Sequence, residues 1–137
     1  MDLTPDHAPA SAARAEGNTP RLVAAYGLYY LDNQPVLLRA ADVPYFCVPP
    51  EQWAGNIERL RSAGCNAITS AIPWGWHEPV AGEVDFDGRT HAQRDLLGFL
   101  GAVQRAGLVF LARPGPFVAG GDRGDSGAGC PDWLARA

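Results

Sequence analysis

Two stretches of this chain follow one plan: an apolar-striped helix, a glycine stop, then a short apolar strand. The first helix is set by Pro49-Pro50, because proline suits the first helical turn. Trp53, Ile57 and Leu60 then recur at i, i+4 and i+7 and give one apolar face. Glu51, Glu58, Arg59 and Arg61 lie mostly off that face, and Gly64 ends the helix. NAITSAI follows; it is short and partly β-branched, hence a strand. The second helix is expected from about Thr90, its N-cap, to Ala106, with Gly107 as its stop. Leu96, Leu97, Leu100 and Val103 supply its buried stripe. LVFLAR, Leu108 to Arg113, reads as an apolar strand of the kind buried on both faces. Strands alternating with helices predict βαβ units and a parallel sheet, either open or closed into a barrel. A nucleotide-binding open sheet would carry a glycine fingerprint after its first strand. The chain has PYFCVPPEQW after Val43, and no such fingerprint.

Around this frame the readings are simpler. Residues 1–20 show no hydrophobic periodicity and are expected to be a disordered tail, with a domain over 21–137. VAAYGLYYL and QPVLL, joined by Asp32-Asn33, predict a β-hairpin of two strands and a turn. AADVPYFCV is a further extended stretch, since Pro44 disfavours helix there. The run Gly115–Gly129 is expected to be a glycine-rich loop, and PDWLARA the start of a helix.

Composition excludes several functions. Hydrophobic residues make up 47% and charged residues 19%, so the chain is globular rather than disordered. A net charge of −4 without a basic stripe argues against nucleic acid as a partner. Lys and Arg form no run that would hold anionic lipid, and no segment is apolar and long enough to span a bilayer. Asp2 and Asp6 stand where a basic signal-peptide region belongs. Three cysteines, Cys47, Cys65 and Cys130, make neither a disulfide framework nor a zinc knuckle. Reduced thiols in a cytoplasmic protein, with no metal and no cofactor, are expected.

The stretch PWGWHEPVAGEVDFDG, Pro73 to Gly88, carries the most chemistry. It follows NAITSAI, and parallel α/β folds place their sites at the carboxyl ends of strands. Trp74 and Trp76 offer flat faces to the C–H face of a sugar ring, and His77 and Glu78 offer hydrogen bonds to hydroxyls. The competing reading has both tryptophans packed under a rim and Glu78 as a structural acceptor, the commoner fate of such residues. His77-Glu78 lacks the second histidine of a zinc protease: position 81 is Ala81. His7 and His91 read as surface histidines. Arg113, at the end of its strand, calls for an acidic neighbour rather than a ligand. The run from Gly120 to Gly129 lacks the end of a phosphate loop, and Arg123-Gly124-Asp125 is too short a motif to signify adhesion.

Taken together, PYFCVPPEQW (44–53), LRSAGCNAI (60–68), IPWGWHEPVAGEVDFDG (72–88), LVFLARPGPFV (108–118) and GCPDWL (129–134) resemble the N-terminal part of glycoside hydrolase family 35, the β-galactosidases. The resemblance implies about the first three βα units of a (β/α)8 TIM barrel, preceded by the hairpin. It implies removal of terminal β-galactosyl residues with retention, by an acid/base and a nucleophile about 5–5.5 Å apart. In the family those carboxylates follow the fourth and seventh strands, so no catalytic residue falls within these 137 positions. The resemblance carries Tyr45, Trp74 and Glu78 over as substrate-binding residues, with a galactoside-type carbohydrate as partner. It departs where family His-Tyr-Phe-Arg is Pro44-Tyr45-Phe46-Cys47, and where Thr-Tyr is Ser70-Ala71. Gly75 replaces an asparagine, and Ala119-Gly120-Gly121-Asp122 lacks a sugar-binding glutamate. The implied reading is a glycosidase fragment inactive alone, of low stability because its sheet edges are bare. Two alternatives stand beside it. One is a non-catalytic carbohydrate-binding or interaction module using Trp74, Trp76 and Trp133. The other is complementation by a downstream chain that supplies the missing strands.

Overall fold

The computed structural model describes residues 22–115 and 129–134. The expected tail over 1–20, and the glycine-rich stretch apart from its first and last residues, lie outside them, as does Arg123-Gly124-Asp125. The described residues fall into two compact units, one ending at Leu38 and the other beginning at Arg39.

The first unit is a three-stranded antiparallel sheet of β1 (Leu22–Ala25), β2 (Leu28–Leu31) and β3 (Gln34–Val36) in that order. The sequence predicts two strands here, and there are three. Both connections are two-residue turns with positive φ at each position: Tyr26 (51°) and Gly27 (76°), then Asp32 (50°) and Asn33 (65°). That is the backbone handedness that matches strand twist in a tight hairpin. Asp-Asn announces itself; Tyr-Gly does not, because a tyrosine rarely accepts a left-handed backbone.

The second unit alternates strand and helix. β4 (Ala40–Asp42) leads through a 3-10 turn, Tyr45–Cys47, into α1 (Pro50–Ser62). β5 (Ala67–Pro73) runs straight into the one-turn helix α2 (Trp74–His77). A loop and a second 3-10 turn, Ala92–Arg94, then deliver α3 (Leu96–Arg105), and β6 (Val109–Gly115) closes the described sheet. The strands are parallel in the order β4-β5-β6, with Ala41, Ile68 and Phe110 in register. The βαβ expectation therefore holds.

Both glycine stops work as expected. At the end of α1 the Gly64 amide donates to Arg61 O and the Cys65 amide to Leu60 O; at the end of α3 Gly107 donates to Gln104 O and Leu108 to Val103 O. These paired bonds satisfy the last carbonyls and need a left-handed residue, which Gly64 and Gly107 supply.

The start of α3 differs from expectation. Its N-cap is Asp95, whose carboxylate accepts from the Gly98 amide at 2.8 Å, and not Thr90. The buried stripe differs too: Leu96, Phe99, Ala102 and Val103 are buried, whereas Leu97 is 60% exposed. Starting the helix five residues later fixes a phase in which Phe99, not Leu97, points inward.

The core lies between the helices and one sheet face. Trp53 and Ile57 of α1, Ile68 of β5 and Phe99 and Val103 of α3 form one cluster with Val43 and Tyr45. Ala41, Ile72 and Phe110 pack against it from the sheet. Tyr45 stacks on Phe99 with ring centroids 5.1 Å apart, and Trp53 meets both rings edge-on. Alternate strand residues, Asp42, Thr69, Leu111 and Arg113, belong to the opposite face. β6 departs from the expectation of burial on both faces, because Ala112, Arg113 and Pro114 are exposed. It is an outer strand among the described residues, so only the side against α3 and β5 is covered.

Candidate functional site

The carboxyl ends of β4, β5 and β6 gather Tyr45, the Trp74–Gly88 stretch and Arg113 at one end of the sheet. Proline governs the exit from β5. Pro73 has extended backbone and α2 starts at once, so Trp74 to His77 make a single helical turn.

Tyr45 is fully buried, and its hydroxyl bonds to Nε2 of His77. His77 is buried as well, and its Nδ1 lies 2.6 Å from the carbonyl oxygen of Asp85. A carbonyl only accepts, so Nδ1 carries the proton. Nε2 is then the acceptor for the tyrosine O–H. Desolvation holds the His77 ring below its ordinary pKa, and burial pushes the Tyr45 phenol well above the usual range. Both groups are neutral, as this hydrogen-bond pattern needs. His77, a candidate for sugar hydroxyls in the sequence, thus has both ring nitrogens engaged within the protein.

The far end of this chain is Asp85, 2% exposed. Its Oδ1 accepts from the amides of Asp87 (3.2 Å), Gly88 (2.8 Å) and Arg89 (3.1 Å). Its Oδ2 accepts from the Thr90 amide at 2.7 Å and from the Thr90 hydroxyl. Burial works against the carboxylate, but these donors outweigh it and hold its pKa below the usual carboxylate range. Sequence reasoning missed Asp85. The signal was there: an aspartate three residues before a glycine marks a turn in which the side chain takes up backbone amides. Gly88 has φ 76°, which lets the chain curl around that carboxylate.

Trp74 and Glu78 form the outer rim. The Trp74 indole N–H donates to Glu78 Oε2, and the Gly82 amide donates to Oε1 at 2.7 Å. These bonds, that from Trp74 foremost, hold the Glu78 carboxyl below its ordinary pKa. Trp74 is 37% exposed, so part of its ring is open to a ligand. Glu78 is therefore a loop staple whose ionised carboxylate sits beside an open aromatic face.

Trp76 is used differently. Its ring meets His91 edge-on at 5.0 Å, the Arg94 guanidinium lies 4.9 Å from its centroid, and its N–H donates to Gln93 O at 3.3 Å. For this tryptophan the packing reading is the right one. His91 is half of that contact and also caps the 3-10 turn through Nδ1.

Arg113 finds the acidic neighbour expected of it: Nη2 lies 2.6 Å from Asp42 Oδ2, across β5. Both side chains are 55% exposed, so the pair sits in a wet environment on the sheet face opposite the helices. The segment 129–134 also reaches the rim. Trp133 donates its indole N–H to Glu78 O at 3.0 Å and meets the Trp74 ring edge-on at 5.7 Å. Among the described residues no cluster of three or more His, Cys, Asp or Glu is arranged to hold a metal. No helix among them is long and apolar enough to cross a membrane.

Comparison with known proteins adds to this geometry. The family model for glycosyl hydrolases family 35 matches residues 29–137. An exo-β-D-glucosaminidase of Pyrococcus horikoshii is 41% identical over 110 residues, covering 80% of this chain and 14% of that protein. The β-galactosidase-1-like protein of Mus musculus is 34% identical over 108 residues, covering 79% and 16%. Among solved structures, the exo-β-1,4-mannosidase Op5Man5 of Opitutaceae bacterium strain TAV5 superposes with a TM-score of 0.57 at 21% identity, over 72% of this chain and 17% of that one. The likeness to that structure concerns the fold. The chain spans less than a fifth of the length of each of these relatives.

Proposed function

The chain belongs to glycosyl hydrolases family 35, and on that premise we propose that residues 39–137 supply the first three βα units of a (β/α)8 barrel that binds a terminal β-linked sugar. The observation that carries the reading is the parallel order β4-β5-β6 with the rim residues at its carboxyl ends, where barrel enzymes build their sites. The sheet face bearing Asp42, Thr69, Leu111 and Arg113 becomes the barrel interior. The neighbours of β4 and β6 then come from sequence beyond these units, on this polypeptide or on a complementing one.

In this reading Trp74 presents its ring to the sugar's C–H face and Glu78 accepts hydroxyl hydrogen bonds. Tyr45, buried in the core, supports the rim from beneath through its bond to His77. Neither Glu78 nor Asp85 suits general-acid work, which needs a carboxyl pKa raised toward neutrality; both are lowered. In this reading the acid/base and nucleophile follow later strands of the barrel, as the family resemblance implies, and residues 1–137 alone are inactive. The thiols of Cys47 and Cys65 suit a cytoplasmic setting.

The sugar is a galactoside in the first instance. A specific observation favours a second reading, a β-D-glucosaminide. Two exo-β-D-glucosaminidases, from Pyrococcus horikoshii and Thermococcus kodakarensis, are 41% and 39% identical over 110 and 106 residues. The ionised Glu78 would also suit the ammonium group of an amino sugar.

The test is a titration of the 137-residue chain with galactose and with glucosamine, read by tryptophan fluorescence, beside an assay on chromogenic β-glycosides. Sugar-dependent quenching that Trp74→Ala abolishes, without chromophore release, is the expected result. Tighter binding of glucosamine selects the second sugar. Turnover would overturn the placement of the reacting acids, and absence of any quenching would overturn the rim.

A further inference from the structure

α2 is a single helical turn, and one turn has no stability of its own. Something outside it must hold Trp74 and Glu78 in place. Part of that support comes from the far end of the described chain. The Gly75 amide donates to Gly129 O at 2.9 Å, and Trp133 donates to Glu78 O at 3.0 Å. The Trp133 ring stands edge-on to the Trp74 ring, at 86°. Trp133 therefore touches both members of the rim pair, one through its ring and the other through its N–H.

This approach depends on Gly75. A Cβ there would lie 2.6 Å from Cys130 O, 2.8 Å from Cys130 C and 2.9 Å from Pro131 Cα. All three are backbone atoms, which cannot rotate aside, and Pro131 is itself fully buried. The glycine is needed here for close approach of two backbones.

We propose that Trp133 is a positioning residue that fixes the Trp74–Glu78 pair for carbohydrate, and that Gly75 is the residue whose missing side chain lets the Gly129–Leu134 segment reach it. The proposal rests on the reading that Trp74 and Glu78 contact sugar. Its physical basis is preorganisation. A tryptophan and a glutamate ordered before the ligand arrives do not charge their rotamer entropy to binding.

The experiment uses the 137-residue chain and two variants, Trp133→Phe and Gly75→Ala. Trp133→Phe keeps an aromatic edge and loses the N–H donor. Gly75→Ala leaves Trp133 intact and forces the segment away. The chain has four tryptophans, and single Trp→Phe variants assign their indole resonances. Both test variants should shift the Trp74 indole N–H resonance. Both should weaken binding of galactose, or of glucosamine if that is the sugar bound, by about fivefold or more, the order expected from losing one hydrogen bond. This should occur well below the unfolding transition and with an unchanged far-UV spectrum. An unchanged Trp74 resonance in both variants overturns the proposal, as does a shifted resonance with unchanged affinity. A wild-type chain that binds neither sugar sinks the carbohydrate reading, and this role for Trp133 with it. The indole spectra then show separately whether the contact itself was right.

Discussion

Replacing Asp85 by asparagine tests the loop that presents the rim. The change is nearly isosteric, so packing is kept. The Oδ1 side still accepts from Asp87, Gly88 and Arg89. The Oδ2 side becomes an NH2 facing the Thr90 amide, donor against donor, while the Thr90 hydroxyl must turn from donor to acceptor. The hydrogen bond from the Thr90 amide is lost with no acceptor in its place, and the remaining bonds lose the charge that strengthened them. Losses of that kind amount to about 2–3 kcal/mol. For a unit of this size the thermal midpoint should fall by about 10–20 °C. The pH dependence gives an independent sign. The folded pKa of Asp85 lies below its unfolded value, so its contribution is fully present above about pH 3.9 and is lost as pH falls below that. Asp85→Asn should flatten the acid limb of stability by about one proton. Urea unfolding followed by circular dichroism between pH 3 and 7 measures both effects. An unfolding free energy within about 0.5 kcal/mol of wild type at pH 7, with the acid limb unchanged, would refute the reasoning.

Four further outcomes are expected. Tyr45→Phe should cost about 1–3 kcal/mol in urea unfolding, because the buried His77 Nε2 loses its donor. His77 has a folded pKa below its unfolded value near 6.5, so stability should decline as pH falls below about 6.5; His77→Gln should remove that limb. Phe99→Ala empties the centre of the aromatic cluster and should cost about 3–5 kcal/mol, whereas Arg113→Ala breaks an exposed pair and should cost about 0–1 kcal/mol.

Legibility in the sequence tracked the range of the interaction. The α1 face, both glycine stops and the βα alternation rest on neighbours within one or two turns, and each can be read from spacing. Spacing alone does not choose the N-cap of α3, because Thr90 and Asp95 are both good caps and only one is free. The carboxylate of Asp85 takes up Thr90, and that commitment is visible only once the loop has curled. The exposure of β6 likewise depends on what lies beside it in the sheet.

The site divides the same way. Residue types and order alone determined that the Trp74–Gly88 stretch ends a strand, that Arg113 needs an acid, and which family the chain resembles. Only the tertiary structure decided that Trp76 is packed and Trp74 open, that His77 joins Tyr45 to Asp85, that Arg113 takes Asp42, and that Trp133 reaches Glu78 over Gly75. These contacts join residues up to 71 positions apart. Local spacing encodes the period of a helix or strand; partners that far along the chain meet only when the sheet and helices have packed, and a list of residue types carries no distance between them.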